Sequence, residues 1–315
     1  MTNEIGFMLR IDGSHRAPGM VGMAEAGSRT TKEGGRVIDV ASFVDSGTGV
    51  RVLRHQIRYE GTNLIEQWVT IANEGAGTVR IEAVDSIALK LPARDYETMH
   101  FTSGWGLEFE SVFAPLPPNG QPFRLETRKG RSSGDVHPWL ALFDRASGTI
   151  VSASVMWSGN WALELAPQDD GSLLLTGGLN AWEFWKDLAP GQSMESPHVV
   201  VVRTDSGDLN DISVQYARVG REYWYPKISS PYRCRWNGTI GGATRTSGLM
   251  KRRFCATWKL RSGSALIYAR WTPAGSARRR RMRTGTIIGG IGTSSIRSAS
   301  RAACASCPTP AMPAA

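Results

Sequence analysis

Acidic side chains on predicted strands are the first residues of this sequence whose chemistry could matter. Hydrolysis of a glycosidic bond needs two carboxyl groups that face each other across a sugar ring, one as nucleophile or base and one as acid. Four acids are available, namely Glu108, Glu110, Asp144 and Glu164. Nothing in their spacing marks a pair, so we expect each to be a solvated acid on a strand face. We predict no catalytic residue in this chain.

The histidines and cysteines do not have the spacing of a metal site. The five histidines are scattered singly, at His15, His55, His100, His137 and His198. Cys304 and Cys307 have the spacing of half a zinc site or of a redox motif, but no second such pair or pair of histidines accompanies them. We therefore predict no metal and no cofactor.

Three further motifs suggest chemistry but fit structural roles better. Ser158 in "WSGNW" lacks the G-x-S-x-G context of an exposed nucleophile. The Gly177–Gly178 pair is not followed by the Lys-Ser/Thr of a phosphate-binding loop, so we expect a tight turn there. Tryptophans could stack on sugar rings, yet in a β-sandwich we expect them in the core; those concerned are Trp157, Trp161, Trp182 and Trp185.

Charge divides the chain into two unlike parts. Residues 1–226 hold 20 Lys and Arg against all 28 Asp and Glu, whereas residues 227–315 hold 17 Lys and Arg and no acid. Such a basic segment is typical of an arm that meets nucleic acid. Its basic residues, including the four arginines at 278–281, form no periodic face and do not alternate with stacking aromatics. We therefore predict no specific nucleic-acid partner.

The elements that must position these residues are mostly strands. Segments rich in Val, Ile, Thr and aromatics, bounded by turn formers such as "DSGTG" and "NEGAGT", predict strands at 36–44, 50–59, 64–73, 78–91, 138–144, 149–157, 161–167, 172–178 and 195–204. One helix is predicted after the caps Asp208 and Asn210, with Ile212, Tyr216, Val219 and Tyr223 at helical spacing. Many strands without interleaved helices predict an all-β fold, a large antiparallel β-sandwich with a late helix.

The sandwich is predicted to span residues 1–226. Beyond it Gly, Ser, Thr, Ala and Arg dominate and apolar residues follow neither period, so residues 227–315 are predicted to be mostly unstructured. The chain begins with no apolar run typical of a signal peptide, and no stretch reaches the roughly 18–20 apolar residues of a membrane helix. We expect a cytoplasmic protein without a membrane partner.

An ordered series of segments carries a resemblance to a known family. The segments are "MHFTSGWGLEFESVFAPL" (99–116), "RSSGDVHPWLALFD" (131–144), "ASVMWSGNWALEL" (153–165), "LTGGLNAWEFWKDLAPGQSMESPHVVVV" (175–202) and "VGREYWYP" at the helix end. Together they resemble the N-terminal β-sandwich domain of glycoside hydrolase family 36, the α-galactosidases, over roughly residues 50–226. The resemblance places Trp105 near sugar and gives structural roles to Ser132, Ser133, His137, Pro138, Trp157, Ser158, Gly159, Asn160, Gly177, Gly178, Pro190, Gly191 and Pro197.

The resemblance also implies a function. In that family the sandwich precedes a (β/α)8 barrel, which supplies both catalytic aspartates and releases terminal α-galactose with retention and without a metal. The enzymes are commonly homo-oligomers, and the N-terminal domain can help shape the substrate site. The catalytic positions lie beyond the sandwich, so none carries over to this chain. The resemblance therefore predicts an α-galactosidase domain whose intact enzyme takes α-galactosides, but which lacks the barrel and is inactive alone.

The basic segment has an explanation in the genetic code. If its DNA is read two bases later, Trp236-Asn237 forces a Glu codon and Trp271-Thr272 forces an Asp codon. Around these forced residues the remaining codons permit "EWNHWWRYED" and "LDAGWFGPA", which resemble the start of the family's barrel. We therefore expect that the reading frame slips between about residues 226 and 234.

Two other functions remain open from the sequence. The chain could be a stand-alone carbohydrate-binding sandwich, with exposed tryptophans such as Trp105 as the platform. It could also be a nucleic-acid-binding protein that uses the basic segment, which ranks below the other two.

Overall fold

The computed structural model describes residues 5–118 and 120–227, which form two antiparallel sheets and one helix. The chain divides into two compact units, residues 1–227 and 228–315, and the described residues belong to the first. The predicted all-β sandwich with a late helix is confirmed in this part of the chain. Apart from Lys227, the predicted unstructured tail lies outside the described residues.

Sheet A is the smaller of the two sheets, with seven strands among the described residues. In spatial order its strands are β10 (Phe123–Glu126), β13 (Trp161–Pro167), β14 (Leu173–Leu179), β7 (Val79–Leu91), β1 (Gly6–Ile11) and β2 (Ser14–Arg16), with β15 (Lys186–Leu188) also on β7.

Sheet B has ten strands in the same part of the chain. Their order is β3 (Met23–Glu33), β4 (Arg36–Asp45), β5 (Val50–Tyr59), β6 (Leu64–Asn73), β17 (His198–Thr204), β12 (Ile150–Met156), β11 (Val136–Asp144), β8 (Tyr96–Gly104) and β9 (Leu107–Pro115), with β16 (Ser193–Glu195) also on β6. The last strand in sequence, β17, therefore lies near the middle of the sheet, between β6 and β12.

Side chains alternate in direction along the strands, so sheet B has an inner face and an outer face. On β6, Val69 and Ile71 pack in one buried cluster with Phe7 and Leu9 of sheet A. Leu64 belongs instead to a cluster that includes Ile212 of the helix. Because successive strand residues point to opposite faces, the core lies between the two sheets and the helix covers part of the outer face of sheet B.

The helix α1 (Leu209–Val219) begins where the sequence places its cap. The Asp208 carboxylate accepts a hydrogen bond from the Asn210 backbone N–H at 2.8 Å. Ile212 and Val219 are buried on the outer face of sheet B, and Tyr216 packs against the same cluster. A π-helical turn, Gly220–Trp224, follows directly. The predicted helical face is thus confirmed.

Buried polar side chains join the two sheets. Gln67 of β6 donates through Nε2 to the carbonyl oxygens of Gly6 and Ser86, both at 2.8 Å. Ser86 of β7 donates through Oγ to the carbonyl of Pro197 at 2.6 Å and lies 2.8 Å from the Ser196 hydroxyl. Because buried donors are costly to leave unpaired, this network fixes how the sheets sit on each other.

Candidate functional site

One end of the sandwich gathers nine of the residues singled out from the sequence. We call this region the loop end and define it by the β8–β9 turn at 104–106 and the connecting segments 127–135, 157–160 and 180–185. The antiparallel pairing brings these segments together, since Val136 pairs with Thr102 and Trp161 with Leu179. The structure therefore places the quoted sequence motifs side by side.

Two asparagines hold the loop-end segments to each other. The Asn160 side-chain oxygen accepts from the Gly130 N–H at 2.7 Å, and its carbonyl accepts from the Asn180 N–H at 3.2 Å. The buried Asn180 amide donates to Glu126 at 3.0 Å and accepts from the Trp182 N–H at 3.0 Å. Asn180 was missed from the sequence, where only its place two residues after the glycine pair could have signalled it.

Ser132 and Trp161 form a second contact between loop and core. The Trp161 ring is fully buried and its indole N–H donates to the Ser132 carbonyl oxygen at 2.8 Å. Ser132 therefore acts through its backbone, while Ser133 is exposed. The prediction that tryptophans of this region are core residues is correct for Trp161 alone.

The other three tryptophans contradict that prediction. Trp157, Trp182 and Trp185 are 41%, 40% and 61% exposed. The Trp157 ring folds over Gly159, where an added Cβ would lie 2.7 Å from its indole nitrogen. These three side chains lie on loops and not at inward-facing strand positions, so they are not buried in the core. Ser158 is exposed in the same loop.

His137 connects the loop end to the β8–β9 hairpin. Its Nε2 lies 2.7 Å from the Ser103 hydroxyl, the Phe109 ring is 4.3 Å away, and burial lowers the pKa of His137. Pro138 follows within the register shift between Val136 and Leu140 on β11, where a residue without an N–H is tolerated.

Trp105 stands at the tip of the β8–β9 hairpin and is fully exposed. Gly106 follows it with φ +77°, a left-handed conformation that favours glycine. The structure therefore makes Trp105 accessible to a partner, as its sequence context suggested.

The Gly177–Gly178 pair lies inside β14, and the expected tight turn is wrong. A Cβ on Gly178 would lie 2.3 Å from the Val84 carbonyl oxygen, and one on Gly177 would lie 2.7 Å from a Leu163 methyl. Close approach of the neighbouring strands, rather than a turn, requires glycine at both positions.

Pro190 and Gly191 lie in the crossover from sheet A to sheet B, and Pro197 lies between β16 and β17 of sheet B. Gly191 has φ +80° in the turn closed by the Gln192 N–H on the Ala189 carbonyl, and its own N–H donates to the Asn73 carbonyl at 2.8 Å. Proline before such a glycine favours this turn. A structural role at these positions stays a prediction.

The candidate acids do not come together. Glu108 and Glu110 are exposed on β9, and Glu164 forms an ion pair with Arg124 at 2.6 Å. Asp144 contradicts the expectation of a solvated acid, because it is buried and accepts from the Ser147 hydroxyl and two backbone N–H groups. The Ser147 hydrogen bond is the largest cause of its lowered pKa, so Asp144 is a turn-stabilising group.

Glu66 is a buried acid that the sequence did not reveal. It accepts from His198 Nδ1 at 2.6 Å, from the Trp224 indole N–H at 2.9 Å and from the Tyr59 hydroxyl. Burial opposes ionisation, but these three hydrogen bonds outweigh it and lower the pKa of Glu66. The carboxylate thus holds the turn after α1 against sheet B. The Trp68 ring stacks on His198 with centroids 4.0 Å apart.

Asp85 lies on β7 opposite Gly178. Burial raises the pKa of Asp85 to about 7, while the charge of Arg124 opposes this shift. A perturbed acid is a reason to look for catalysis. In the described part of the chain, Glu164 and Glu126 are both ion-paired with Arg124, so neither is a free carboxylate that could work with Asp85.

Within the described residues, 5–118 and 120–227, the polar side chains discussed above mostly join loops and sheets to one another. The described residues contain no group of three or more His, Cys, Asp or Glu side chains that could hold a metal. No helix among them is long and apolar enough to cross a membrane.

Comparison with known proteins gives a consistent answer. The family model described as the glycosyl hydrolase family 36 N-terminal domain matches residues 14–189. Alpha-galactosidase AgaA of Geobacillus stearothermophilus is 29% identical over 181 residues, which are 56% of this chain and 24% of that protein. Alpha-galactosidase 1 of Pediococcus pentosaceus is 29% identical over 168 residues, 52% of this chain and 22% of that protein. The chain thus spans about a quarter of the length of these relatives.

Solved structures show the same fold. Alpha-galactosidase AgaB of Geobacillus stearothermophilus superposes with a TM-score of 0.61 at 23% identity, over 67% of this chain and 31% of that one. A variant of AgaA in complex with raffinose gives a TM-score of 0.60 at 24% identity, with the same coverage.

Proposed function

Because the chain belongs to glycoside hydrolase family 36 through its N-terminal domain, we propose that it supplies the non-catalytic β-sandwich of an α-galactosidase. The substrates of the intact enzyme would be terminal α-galactosides. The observation that carries this proposal is the family match over residues 14–189. The contacts at the loop end give additional support. The motif residues there join loops to the core, as a scaffold requires.

The chain alone is proposed to be inactive. A retaining glycosidase needs two carboxyl groups about 5–5.5 Å apart on either side of the bond to be cleaved. Among the described residues the candidate acids are either exposed on β9, ion-paired with Arg124 or, for Asp144, buried in a turn. An assay with an aryl α-galactoside should therefore give the background rate, with AgaA as positive control. Turnover above background that survives repurification and disappears on heat unfolding would refute inactivity.

The basic segment is proposed to be translated out of frame. The forced Glu and Asp codons after residue 227 support this, as does the charge contrast between the two parts of the chain. Resequencing the nucleotides under residues 226–315 tests it. The expected result is an open shifted frame that encodes a barrel start, and stop codons in that frame before Cys307 would end the idea.

A stand-alone carbohydrate-binding sandwich is the second candidate function, favoured by the full exposure of Trp105. Titration with raffinose, followed by tryptophan fluorescence, tests it with Trp105→Ala as the partner variant. A saturable change that the variant loses would support binding, and no change in the parent chain would remove this candidate.

A further inference from the structure

His100 is a buried histidine between the two sheets. It lies on β8 of sheet B with 8% of its surface exposed, and its ring centroid is 5.7 Å from that of Phe123 on β10 of sheet A. Its Nδ1 atom is buried without a hydrogen-bond partner. Because buried polar atoms are almost always paired, this nitrogen is an exception that needs a physical reason.

The residues in register with His100 are apolar. Leu140 of β11 pairs with it on one side and Val112 of β9 on the other. One carboxylate, that of Glu110, lies diagonally across on β9, where it pairs with Thr102 and is exposed to solvent. A solvated carboxylate at this diagonal position is a weak counter-ion for a buried ring.

The charged residues of β10 point away from His100. Arg124 and Glu126 alternate with Phe123 along the strand and bond to each other at 2.9 Å. Burial lowers the pKa of His100, and no neighbouring charge adds to this effect or opposes it. The ring is therefore neutral at pH 7. In the cation both ring nitrogens carry a proton, and Nδ1 has no acceptor among the described residues.

Strand β9 has few contacts that could hold it in place by itself. In the described part of the chain it pairs with β8 alone, and none of its nine residues is buried. Phe109 has φ +64°, a left-handed conformation that is strained for an aromatic residue. Segments with few buried contacts open before the rest of a fold, so the order of β9 depends on β8.

The contacts of Phe109 lead back to the strand that carries His100. The Phe109 ring lies 4.5 Å from the Phe101 ring and 4.3 Å from the His137 ring, and its N–H donates to the Ser103 hydroxyl at 3.3 Å. Phe101 and Ser103 both belong to β8. A displacement of β8 therefore removes two of the three contacts that hold Phe109.

We propose that His100 is an acid-sensitive latch for the β8–β9 hairpin. At neutral pH its uncharged ring fills the gap beside Phe123 and holds β8 against sheet A. Uptake of a proton places a cation there without an acceptor, so the ring leaves the gap for water. Strand β8 moves with it, Phe109 loses its contacts on β8, and the hairpin opens with Trp105 at its tip.

The direction of the pH effect follows from linkage. The pKa of His100 is lowered from 6.5 in the folded chain, so the open hairpin takes up the proton more readily. The closed hairpin therefore loses stability as the pH falls below 6.5. Because Trp105 stands fully exposed at the tip, a partner held by Trp105 at neutral pH is released in acid. This latch depends on the described fold and not on the proposed α-galactosidase role.

The first test is amide hydrogen exchange of the full chain at pH 7 and pH 5, corrected for the intrinsic pH dependence of exchange. Protection at 107–115 should fall at least about threefold in acid, whereas protection of the central strand at 64–73 should not change. Far-ultraviolet circular dichroism should stay the same between the two pH values. Unchanged protection at 107–115, or an equal loss at 64–73, overturns the proposal.

The second test removes the titrating group. His100→Phe keeps a ring in the gap and His100→Gln keeps a polar side chain, and both should abolish the difference between pH 7 and pH 5 at 107–115. His137→Gln is the matched control, because the ring of His137 has the Ser103 hydroxyl as a partner at 2.7 Å. This control should keep the parent's ratio of protection at the two pH values. An acid response that survives in either His100 variant, or disappears in the His137 variant, contradicts the latch.

Discussion

Glu66 is the position where a single substitution should report most clearly on how the helix is held to sheet B. Two variants separate the charge of this side chain from its hydrogen bonds. Glu66→Gln keeps the shape of the side chain and can still accept hydrogen bonds from Tyr59 and Trp224. Glu66→Ala removes the acceptor that all three groups share, and Trp224 keeps only its hydrogen bond to the Tyr59 hydroxyl oxygen at 3.1 Å.

The expected magnitudes follow from burial and bond count. Glu66 is 5% exposed and Tyr59 4% exposed, so water cannot readily replace the lost acceptor. Each buried polar group left unpaired costs about 1–3 kcal/mol, which predicts a loss of about 3–5 kcal/mol for Glu66→Ala. In Glu66→Gln three charged hydrogen bonds become neutral while the burial of a charge is relieved, which predicts a loss of about 1 kcal/mol.

Urea unfolding followed by far-ultraviolet circular dichroism at pH 7 measures both variants, with the exposed Glu74→Ala as a control expected to match the parent. The pKa of Glu66 is lowered in the folded chain, so its contribution is full above the ordinary value of 4.5. It is lost as the pH falls through the lowered folded value. The gap between the parent and the Gln variant should therefore close as the pH falls below 4.5. An Ala variant within about 1 kcal/mol of the Gln variant would refute this account, as would a gap that persists unchanged at pH 2.

Three further outcomes are expected from the same unfolding measurement and from hydrogen exchange. Gly178→Ala should cost at least about 2 kcal/mol because its Cβ would meet the Val84 carbonyl, whereas Gly104→Ala, with open space around it, should cost less than about 0.5 kcal/mol; equal losses would contradict the packing argument. Asn180→Ala should cost about 1–3 kcal/mol and speed amide exchange at 127–131 and 182–185, and unchanged exchange there would show that it does not hold the loops. The pKa of Asp85 is raised to about 7 in the folded chain, so the parent should lose stability relative to Asp85→Asn as the pH rises from 4 to 7. Parallel stability profiles of the two proteins would argue against a buried acid.

Much of the sandwich could be predicted because its central strands alternate and are punctuated by turns. The segments 50–59 and 64–73 coincide with β5 and β6, and the helix begins at its predicted cap. The prediction missed β1–β3 and the hairpin of β8 and β9. In "LEFESVFAP" apolar and polar residues partly alternate, but most side chains of this edge strand are exposed. The alternation therefore does not mark a buried face.

The site was predicted less well, for physical reasons. Sequence segments showed which loops matter. Asn180 and Glu66, however, have hydrogen-bond partners that lie 54 to 158 positions away, which no local spacing reveals. The glycine pair shows the same limit. A turn and a close strand crossing both require glycine, and only the neighbouring strand β7 tells them apart.

The central place of β17 in sheet B sets the order in which this protein can fold during synthesis. Until residue 204 has left the ribosome, sheet B can form only two separate halves, β3–β6 and the group of β12, β11, β8 and β9, with β6 and β12 as open edges. At roughly 5–20 residues per second, synthesis from the end of β12 at residue 156 to the end of β17 at residue 204 takes on the order of 2–10 s, and both edges are open during that time. The sandwich therefore cannot fold progressively from its first residue, and its nascent chain is a natural client for chaperones that bind exposed strand edges.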